Sequence, residues 1–430
     1  MKVKIKPGTL KGEIKIPPSK SYSHRAIIAA SLAENSGKSE ISNLKFSVDI
    51  KTTTEIMENW GADIIKGEDS LVIKGNGGKI VPDDKYTQCN ESGSTVRFLI
   101  PVGLTSENEF IFDGKGKLAE RPLDSYYRIF EKQGIFYETE KGGLPLKVKG
   151  KLQSGTYEID GNISSQFITG LLYALPLLEG DSEIKVNKTL ESKGYVDLTL
   201  EILELAGIKV RNNGYENFEI RGNQIYKPFN YTVEGDYSQA AFWIVAGIIA
   251  GKQGNEIKCL NLNKKSLQGD REIVEITERM GADLEIHDDH IIIRPSETEG
   301  TVIDISQCPD IGPILTVLAA LSKGKTEIVN AERLRIKESD RITSIKTELN
   351  KIGAEIEETE NSLIIYGKDK FKGGVTVSAW NDHRIAMALA VASIKCEKEI
   401  IIEEAESVKK SYPHFWEDFK KIGGNITEVF

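Results

Sequence analysis

The chain has 430 residues, 39% of them apolar and 28% charged with both signs interleaved, a composition that can bury a large core and excludes a disordered chain. Its 65 acidic and 56 basic side chains leave a net charge of −9, which argues against nucleic acid as a partner and points to a local cationic site for a small anion. Four widely spaced cysteines (Cys89, Cys259, Cys308, Cys396) form no C-x-x-C pair, so neither a disulfide framework nor a zinc knuckle is expected.

At the start, Met1-Lys2-Val3-Lys4-Ile5-Lys6 alternates lysine with apolar residues, predicting a strand and lacking the apolar stretch of a secretory signal. The longest apolar runs, 240–250 and 314–321, fall short of the roughly 18 residues that suggest a membrane span. A cytoplasmic protein without a membrane partner is the expectation. Two or three domains follow from the length.

An amphipathic helix end, a glycine and a β-rich run recur along the chain. The glycines are Gly61, Gly134, Gly207, Gly281, Gly353 and Gly423, at spacings of 73, 73, 74, 72 and 70 residues. Glycine suits the left-handed residue that ends a helix and turns the chain into a strand. One such junction is common in α/β proteins, but six at nearly constant spacing predict six related subdomains. The unit is too long for a solenoid repeat and has room for two helices and several strands. Alternating segments such as Ser70-Leu71-Val72-Ile73-Lys74 and Ser362-Leu363-Ile364-Ile365-Tyr366 predict the strands.

Polar loops precede apolar helices, whose free N–H groups and positive dipole ends favour anions. In chain order, Pro17-Pro18-Ser19-Lys20-Ser21-Tyr22-Ser23-His24-Arg25 opens a helix at about Ser21 and groups Lys20, Ser21 and Arg25 at its first turn. Glu91-Ser92-Gly93-Ser94 offers close approach to backbone at Gly93, and Glu120-Arg121-Pro122 holds an extended arginine before proline. Each segment also reads as an ordinary capped helix start or a solvated charge. Ser164-Ser165-Gln166-Phe167 and Ser192-Lys193-Gly194-Tyr195 supply hydroxyl and amide groups. His287 and His290 look like the two ends of a hairpin turn rather than a metal pair. Asp310 precedes the run 314–321, and Lys337-Glu338-Ser339-Asp340-Arg341 is read as a helical turn with Lys337 and Arg341 on one face, which is equally the pattern of a surface salt-bridge ladder. Asn381-Asp382-His383-Arg384 and Lys409-Lys410 close the series, with His383 a credible ligand contact.

In their joint order, Ser19-Lys20-Ser21-x-Ser23-His24-Arg25, Glu120-Arg121-Pro122, Ser164-Ser165-Gln166-Phe167, Glu234-Gly235-Asp236, Lys337-Glu338-Ser339-Asp340-Arg341 and Asn381-Asp382-His383-Arg384 resemble the 3-phosphoshikimate 1-carboxyvinyltransferase family of enolpyruvyl transferases. The resemblance implies an α/β fold, a two-domain inside-out α/β barrel of six βαβαββ repeats, three per domain. By that analogy residues 1–19 and 236–430 form one domain, 20–235 the other, and the active site lies in the cleft between them. It implies transfer of the enolpyruvyl group of phosphoenolpyruvate to the 5-hydroxyl of shikimate 3-phosphate, with no metal or organic cofactor demanded; a cleft completed within one chain makes a monomer the expectation.

Carried over motif by motif, Lys20, Gly93, Arg121, Gln166, Arg341, Arg384 and Lys410 hold phosphoenolpyruvate. Lys20, Ser21, Arg25, Ser164, Ser165, Gln166, Ser192, Asp310 and Lys337 hold shikimate 3-phosphate, and Asp310, Glu338 and Lys20 are the catalytic candidates. Departures from the family pattern are Glu91, where asparagine is usual, and Arg333, also in place of asparagine. Glu91 either turns toward a cation such as Arg97 or leaves its place to Asn90. Gly93 leaves room for glyphosate, so sensitivity is expected. The alternatives are the enolpyruvyl transferase of UDP-N-acetylglucosamine, which characteristically has Lys-Asn where this chain has Lys20-Ser21 and carries a reactive cysteine, and a non-catalytic anion- or RNA-end-binding protein on the same repeats.

Overall fold

The computed structural model describes residues 1–251 and 254–429. All six junction glycines have the left-handed backbone expected of them: φ is 95° at Gly61, 66° at Gly134, 77° at Gly207, 103° at Gly281, 112° at Gly353 and 107° at Gly423. Each follows an amphipathic helix, namely Val48–Asn59, Asp124–Gln133, Lys193–Leu205, Glu272–Arg279, Arg341–Ile352 and Phe415–Lys421. Each also leads into a strand, so a single sequence signal marks the same structural event six times.

The strands form six four-stranded sheets of one topology. In the plainest copy, Tyr86–Gln88 pairs in parallel with Glu109–Asp113, which runs antiparallel to Leu146–Lys149, itself antiparallel to Phe136–Thr139. Helix Gly93–Gly103 and helix Asp124–Gln133 occupy the connections, giving the order βαβαββ. Three copies are completed from elsewhere in the chain. Gly12–Lys15 pairs with Ile257–Leu260, Asn230–Thr232 with Ser39–Ser42, and Lys2–Lys6 lies between Ile400–Glu403 and Asn425–Val429. Among the described residues each sheet is open, and none closes on itself into a barrel; the α/β class holds, and helices rather than a closed sheet fill the interior.

The chain divides into two compact units, residues 1–17 with 234–430, and residues 18–233. In the first, helices Tyr237–Ile249, Gly312–Ala320 and His383–Ser393 are buried along their whole length. In the second, Lys20–Leu32, Gly93–Gly103 and Ser165–Ala174 play that part, buried except for Lys20, Ser21, Ser94 and Gln166 in their first turns. Sheets lie against these helices with one apolar face inward, as at Leu71 and Ile73, Leu146 and Val148, or Ile291 and Ile293. Each such fully buried side chain contributes about 1.5–3 kcal/mol by leaving water.

Gly170 sets the approach of two of these helices. A Cβ there would meet the carbonyl oxygen of Arg97 and the hydroxyl of Tyr126, both at 2.4 Å. The glycine lets Ser165–Ala174 close onto Gly93–Gly103, and Tyr126 clips the pair by donating to the carbonyl of Arg97 (2.5 Å) and of Phe167 (3.3 Å). His287 and His290 flank the hairpin turn between Asp283–Ile286 and His290–Arg294, their rings stacked at 4.2 Å and held by Glu285 and Asp289. Among the described residues no helix is long and apolar enough to cross a membrane.

Candidate functional site

The predicted residues lie in both units, most of them at or just before helix starts. In the unit of residues 18–233 the three helices begin behind serine caps. Ser19 Oγ accepts from the N–H of Tyr22, Ser92 Oγ from that of Thr95 (3.2 Å), and Ser164 Oγ from that of Gln166 (3.3 Å). The first helix therefore starts at Lys20 rather than Ser21. A neutral cap satisfies one N–H and leaves the positive end of the helix uncompensated.

Gln166 ties two of these starts together: its Oε1 accepts from Arg97 Nη1 (2.8 Å) and its Nε2 donates to Ser94 Oγ (3.0 Å). Gly93 sits against them. A Cβ on it would lie 2.7 Å from Arg121 Nη1 and 3.7 Å from both Arg97 Nη1 and Gln166 Oε1. Arg121 has the extended backbone expected before Pro122, with φ −71° and ψ 135°. Four residues from three segments, spread over 74 positions, thus meet at this glycine.

Lys20 Nζ pairs with Asp49 Oδ2 at 2.9 Å. Asp49 escaped the sequence reading because it lies inside the Val48–Asn59 helix and carries no motif. Arg25 is buried, and its guanidinium donates to Thr199 Oγ1 (2.9 Å) and to the carbonyls of Ser21 (2.8 Å) and Tyr195 (2.8 Å). The ring of Phe98 lies 5.0 Å from its central carbon. Burial lowers its pKa, as for any cation taken out of water. Ser192 precedes helix Lys193–Leu205 with a left-handed backbone, φ 55°. As for Glu91, its carboxylate stands over Gly116, where a Cβ would be 3.1 Å from Oε2. Asn90 donates instead to Thr52 Oγ1 (2.8 Å). Cys89 is buried, which pushes its thiol pKa far up and makes it inert.

The other unit uses carboxylates where the first uses hydroxyls. Asp236 accepts from the N–H groups of Ser238 (2.9 Å) and Gln239 (3.2 Å) and from Ser238 Oγ (2.5 Å). Asp382 caps His383–Ser393 by accepting from the N–H of Arg384 (2.9 Å). Asp310 lies in the short turn before Gly312–Ala320 and gathers three cations: Lys337 Nζ at 3.1 Å, Arg341 Nη1 at 3.0 Å and Arg384 Nη2 at 3.0 Å. Arg341, 1% exposed, also binds Glu338 Oε2 (2.5 Å) and Asp382 Oδ2 (2.8 Å), and Arg384 donates to Ser238 Oγ (3.1 Å).

The helical reading of residues 337–341 does not hold. Lys337 and Arg341 do not share a helical face: Asp340 caps the N–H of Thr343, so the helix begins at Arg341, and Lys337 is extended with ψ −156°. They meet at the Asp310 carboxylate instead. Lys410 Nζ donates to the carbonyl of Asn381 (2.7 Å), beside the Asp382 cap. His383 is 2% exposed, a buried residue at the helix start. Arg333 is also buried, on the turn that leads to Lys337.

Charge and burial compete in this cluster. Burial alone would raise the Asp310 carboxyl, but Arg384, Lys337 and Arg341 hold it well below the usual carboxylate range. Burial lowers the Lys337 amine to about 8, with Arg333 and Arg341 adding to the effect and Asp310 opposing it. Burial would lower Arg341, yet Asp382, Glu338 and Asp310 raise it, so it stays charged. The result is a partly buried, internally neutralised set of three carboxylates (Asp310, Glu338, Asp382) and three cations (Lys337, Arg341, Arg384).

A family model described as EPSP synthase (3-phosphoshikimate 1-carboxyvinyltransferase) matches residues 5–419. The chain is 54% identical to the 3-phosphoshikimate 1-carboxyvinyltransferase of Clostridium kluyveri over 99% of its own length and 98% of that protein. It is likewise 54% identical to that of Clostridium perfringens (strain 13 / Type A), over 99% of each. Among solved structures, an EPSP synthase from Acinetobacter baumannii superposes with a TM-score of 0.83 at 26% identity, covering 99% of this chain and 100% of that one.

Proposed function

The chain belongs to the EPSP synthase (3-phosphoshikimate 1-carboxyvinyltransferase) family, and we propose that the polar residues gathered at the helix starts of each unit bind its two substrates. The chain is a transferase of aromatic amino acid biosynthesis. It moves the enolpyruvyl group of phosphoenolpyruvate to the 5-hydroxyl of shikimate 3-phosphate and releases phosphate. The family match favours this over the alternatives, the UDP-N-acetylglucosamine enzyme and a non-catalytic anion binder.

The observation that carries the site assignment is Asp310 among Arg384, Lys337 and Arg341. Both substrates are polyanions, and each charge-assisted hydrogen bond is worth about 1.5–3 kcal/mol. We assign Arg341, Arg384 and Lys410, with Lys20, Gly93, Arg121 and Gln166 of the other unit, to phosphoenolpyruvate. Ser21, Arg25, Ser164, Ser165, Gln166, Ser192, Lys20, Lys337 and Asp310 are assigned to shikimate 3-phosphate. Arg25 is well suited: its charge is buried with hydroxyl and carbonyl partners, so a ligand carboxylate supplies the missing counter-ion.

Asp310 is assigned as the base on the 5-hydroxyl. Held far below the usual range it is a weak base, because its lone pairs are taken by Arg384, Lys337 and Arg341. A substrate anion that takes over these arginines releases the carboxylate and raises its affinity for a proton. Basicity then appears only in the loaded site, where it is useful. Glu338 and Lys20 are the candidates for delivering a proton to the methylene carbon. The 5-hydroxyl oxygen bonds to C2 as the methylene carbon takes that proton. The tetrahedral intermediate then loses phosphate from C2 and a proton from the methyl carbon to restore the double bond, the arginines stabilising the developing charge. In the cell we place the enzyme in the cytoplasm, acting as a monomer, with glyphosate as an inhibitor admitted by Gly93.

The test is turnover. Mixing phosphoenolpyruvate and shikimate 3-phosphate with the protein releases phosphate. Asp310→Ala retains shikimate 3-phosphate binding by calorimetry and loses phosphate release; full activity in that variant removes the assigned base.

A further inference from the structure

A buried polar chain runs behind the Gly93 turn and has no part in the chemistry above. His24 Nδ1 lies 2.8 Å from Thr53 Oγ1, Thr53 Oγ1 lies 2.7 Å from Thr95 Oγ1, and Thr95 Oγ1 lies 2.6 Å from Ser92 Oγ. It crosses three helices, Lys20–Leu32, Val48–Asn59 and Gly93–Gly103, and ends on the residue that caps the last of them. All four side chains are 1% exposed or less.

A chain of hydroxyls can be polarised in either direction, because each donates one proton and accepts others. The end at His24 decides. Its Nε2 is buried and has no hydrogen-bond partner, and the Phe98 ring stands perpendicular to the imidazole with centroids 6.5 Å apart. A proton on Nε2 is a donor left unmet in an apolar place, whereas a bare lone pair there is cheaper to bury. A second proton is opposed by burial and by the charges of Lys20 and Arg25. The ring therefore carries its proton on Nδ1 and donates to Thr53, Thr53 donates to Thr95, and Thr95 donates to Ser92. Ser92 Oγ also accepts the N–H of Thr95, so both of its acceptor positions are filled from inside. Its own proton is left over at the first turn of the helix, and among the described residues no acceptor takes it.

We propose that His24, Thr53 and Thr95 are positioning residues whose one-way hydrogen-bond chain fixes the Ser92 hydroxyl as a donor to the anion held at the Gly93 turn. The inference rests on the assignment of that turn to phosphoenolpyruvate. Reversed, the same hydroxyl would point its proton inward and present a lone pair to the anion. The polarity of the chain thus sets whether the turn attracts or repels its ligand.

Nitrogen-15 NMR of the full chain at pH 7 reads the ring directly. The expected spectrum is a neutral His24 with its proton on Nδ1; an Nε2–H tautomer or an imidazolium overturns the proposal. In steady-state kinetics, Thr53→Val raises the KM for phosphoenolpyruvate about tenfold, the loss of one charge-assisted bond. The kcat and the KM for shikimate 3-phosphate stay within about twofold, and Thr53→Ser, which keeps the hydroxyl, restores the native values. Ser92→Gly, a residue a helix N-cap tolerates, gives the same selective rise. Equal losses for both substrates, or a serine variant as impaired as the valine, reduce the chain to a packing role. The two readings fail separately: if Ser92→Gly and Gly93→Ala both leave the phosphoenolpyruvate KM unchanged, the turn does not bind it. If Ser92→Gly raises that KM and Thr53→Val does not, the relay alone is wrong. Should Thr53→Val not fold, the tautomer and the Ser92 variant still decide.

Discussion

The two units share one repeat and differ in what stands at the helix starts. In residues 18–233 the buried helices begin behind Ser19, Ser92 and Ser164, and the cations around them are met mostly by hydroxyl, amide and carbonyl oxygens. In the other unit two of the three begin behind Asp236 and Asp382, the third begins beside Asp310, and the cations are met by carboxylates. A helix start carries roughly half a positive charge. A serine cap leaves it available to a ligand; an aspartate cap cancels it and adds a group that can take a proton. The fold supplies the helix ends, and one residue type at each cap divides ends left positive from ends already offset.

Removing or exchanging those groups tests the division. The largest effect is expected from Asp310→Ala, with kcat reduced about a thousandfold, the middle of the range for a lost general base, and binding of shikimate 3-phosphate retained. Next is an exchange of character: Ser164→Asp gives the unit of residues 18–233 an acidic cap. Aspartate caps as well as serine, so the melting temperature should hold, while a negative charge about 5 Å from a bound phosphate or carboxylate raises the KM for shikimate 3-phosphate about a hundredfold. A variant that melts early without a change in KM would make the caps purely structural.

The third is a pH effect confined to the acidic-capped unit. The Lys337 amine, lowered to about 8, is charged below that pH and neutral above it. The kcat/KM for shikimate 3-phosphate should therefore fall above pH 8, by about tenfold per pH unit at the steepest. Lys337→Arg, which does not titrate in this range, should flatten the profile. The smallest effect is on stability. Asp236→Ala removes the acceptor of three hydrogen bonds and should cost about 2 kcal/mol, against about 1 kcal/mol for Ser19→Ala, compared by denaturant midpoints.

The repeat was legible because a left-handed residue after a helix nearly demands glycine, so Gly61 through Gly423 mark their junctions locally. The apolar helices were legible for the same local reason. What the sequence does not display is pairing across distance. Asp49 meets Lys20 from within a helix that carries no motif. Asp382 sits in a motif read for its cations, yet it clamps Arg341 across 41 residues. Lys337 and Arg341 have a helical spacing that Asp340 interrupts by capping, and only the fold of the preceding turn brings Asp310 between them.

The borrowed strands have a consequence for synthesis. Lys2–Lys6 and Gly12–Lys15 belong to sheets whose other members lie beyond residue 250, whereas residues 18–233 form a unit from one uninterrupted stretch. At about 5–20 residues per second, the ribosome takes roughly ten to forty seconds to make that stretch. The middle of the chain can finish folding while the opening strands still wait without partners. Chaperone binding to a nascent chain halted near residue 250 should accordingly concentrate on the first fifteen residues.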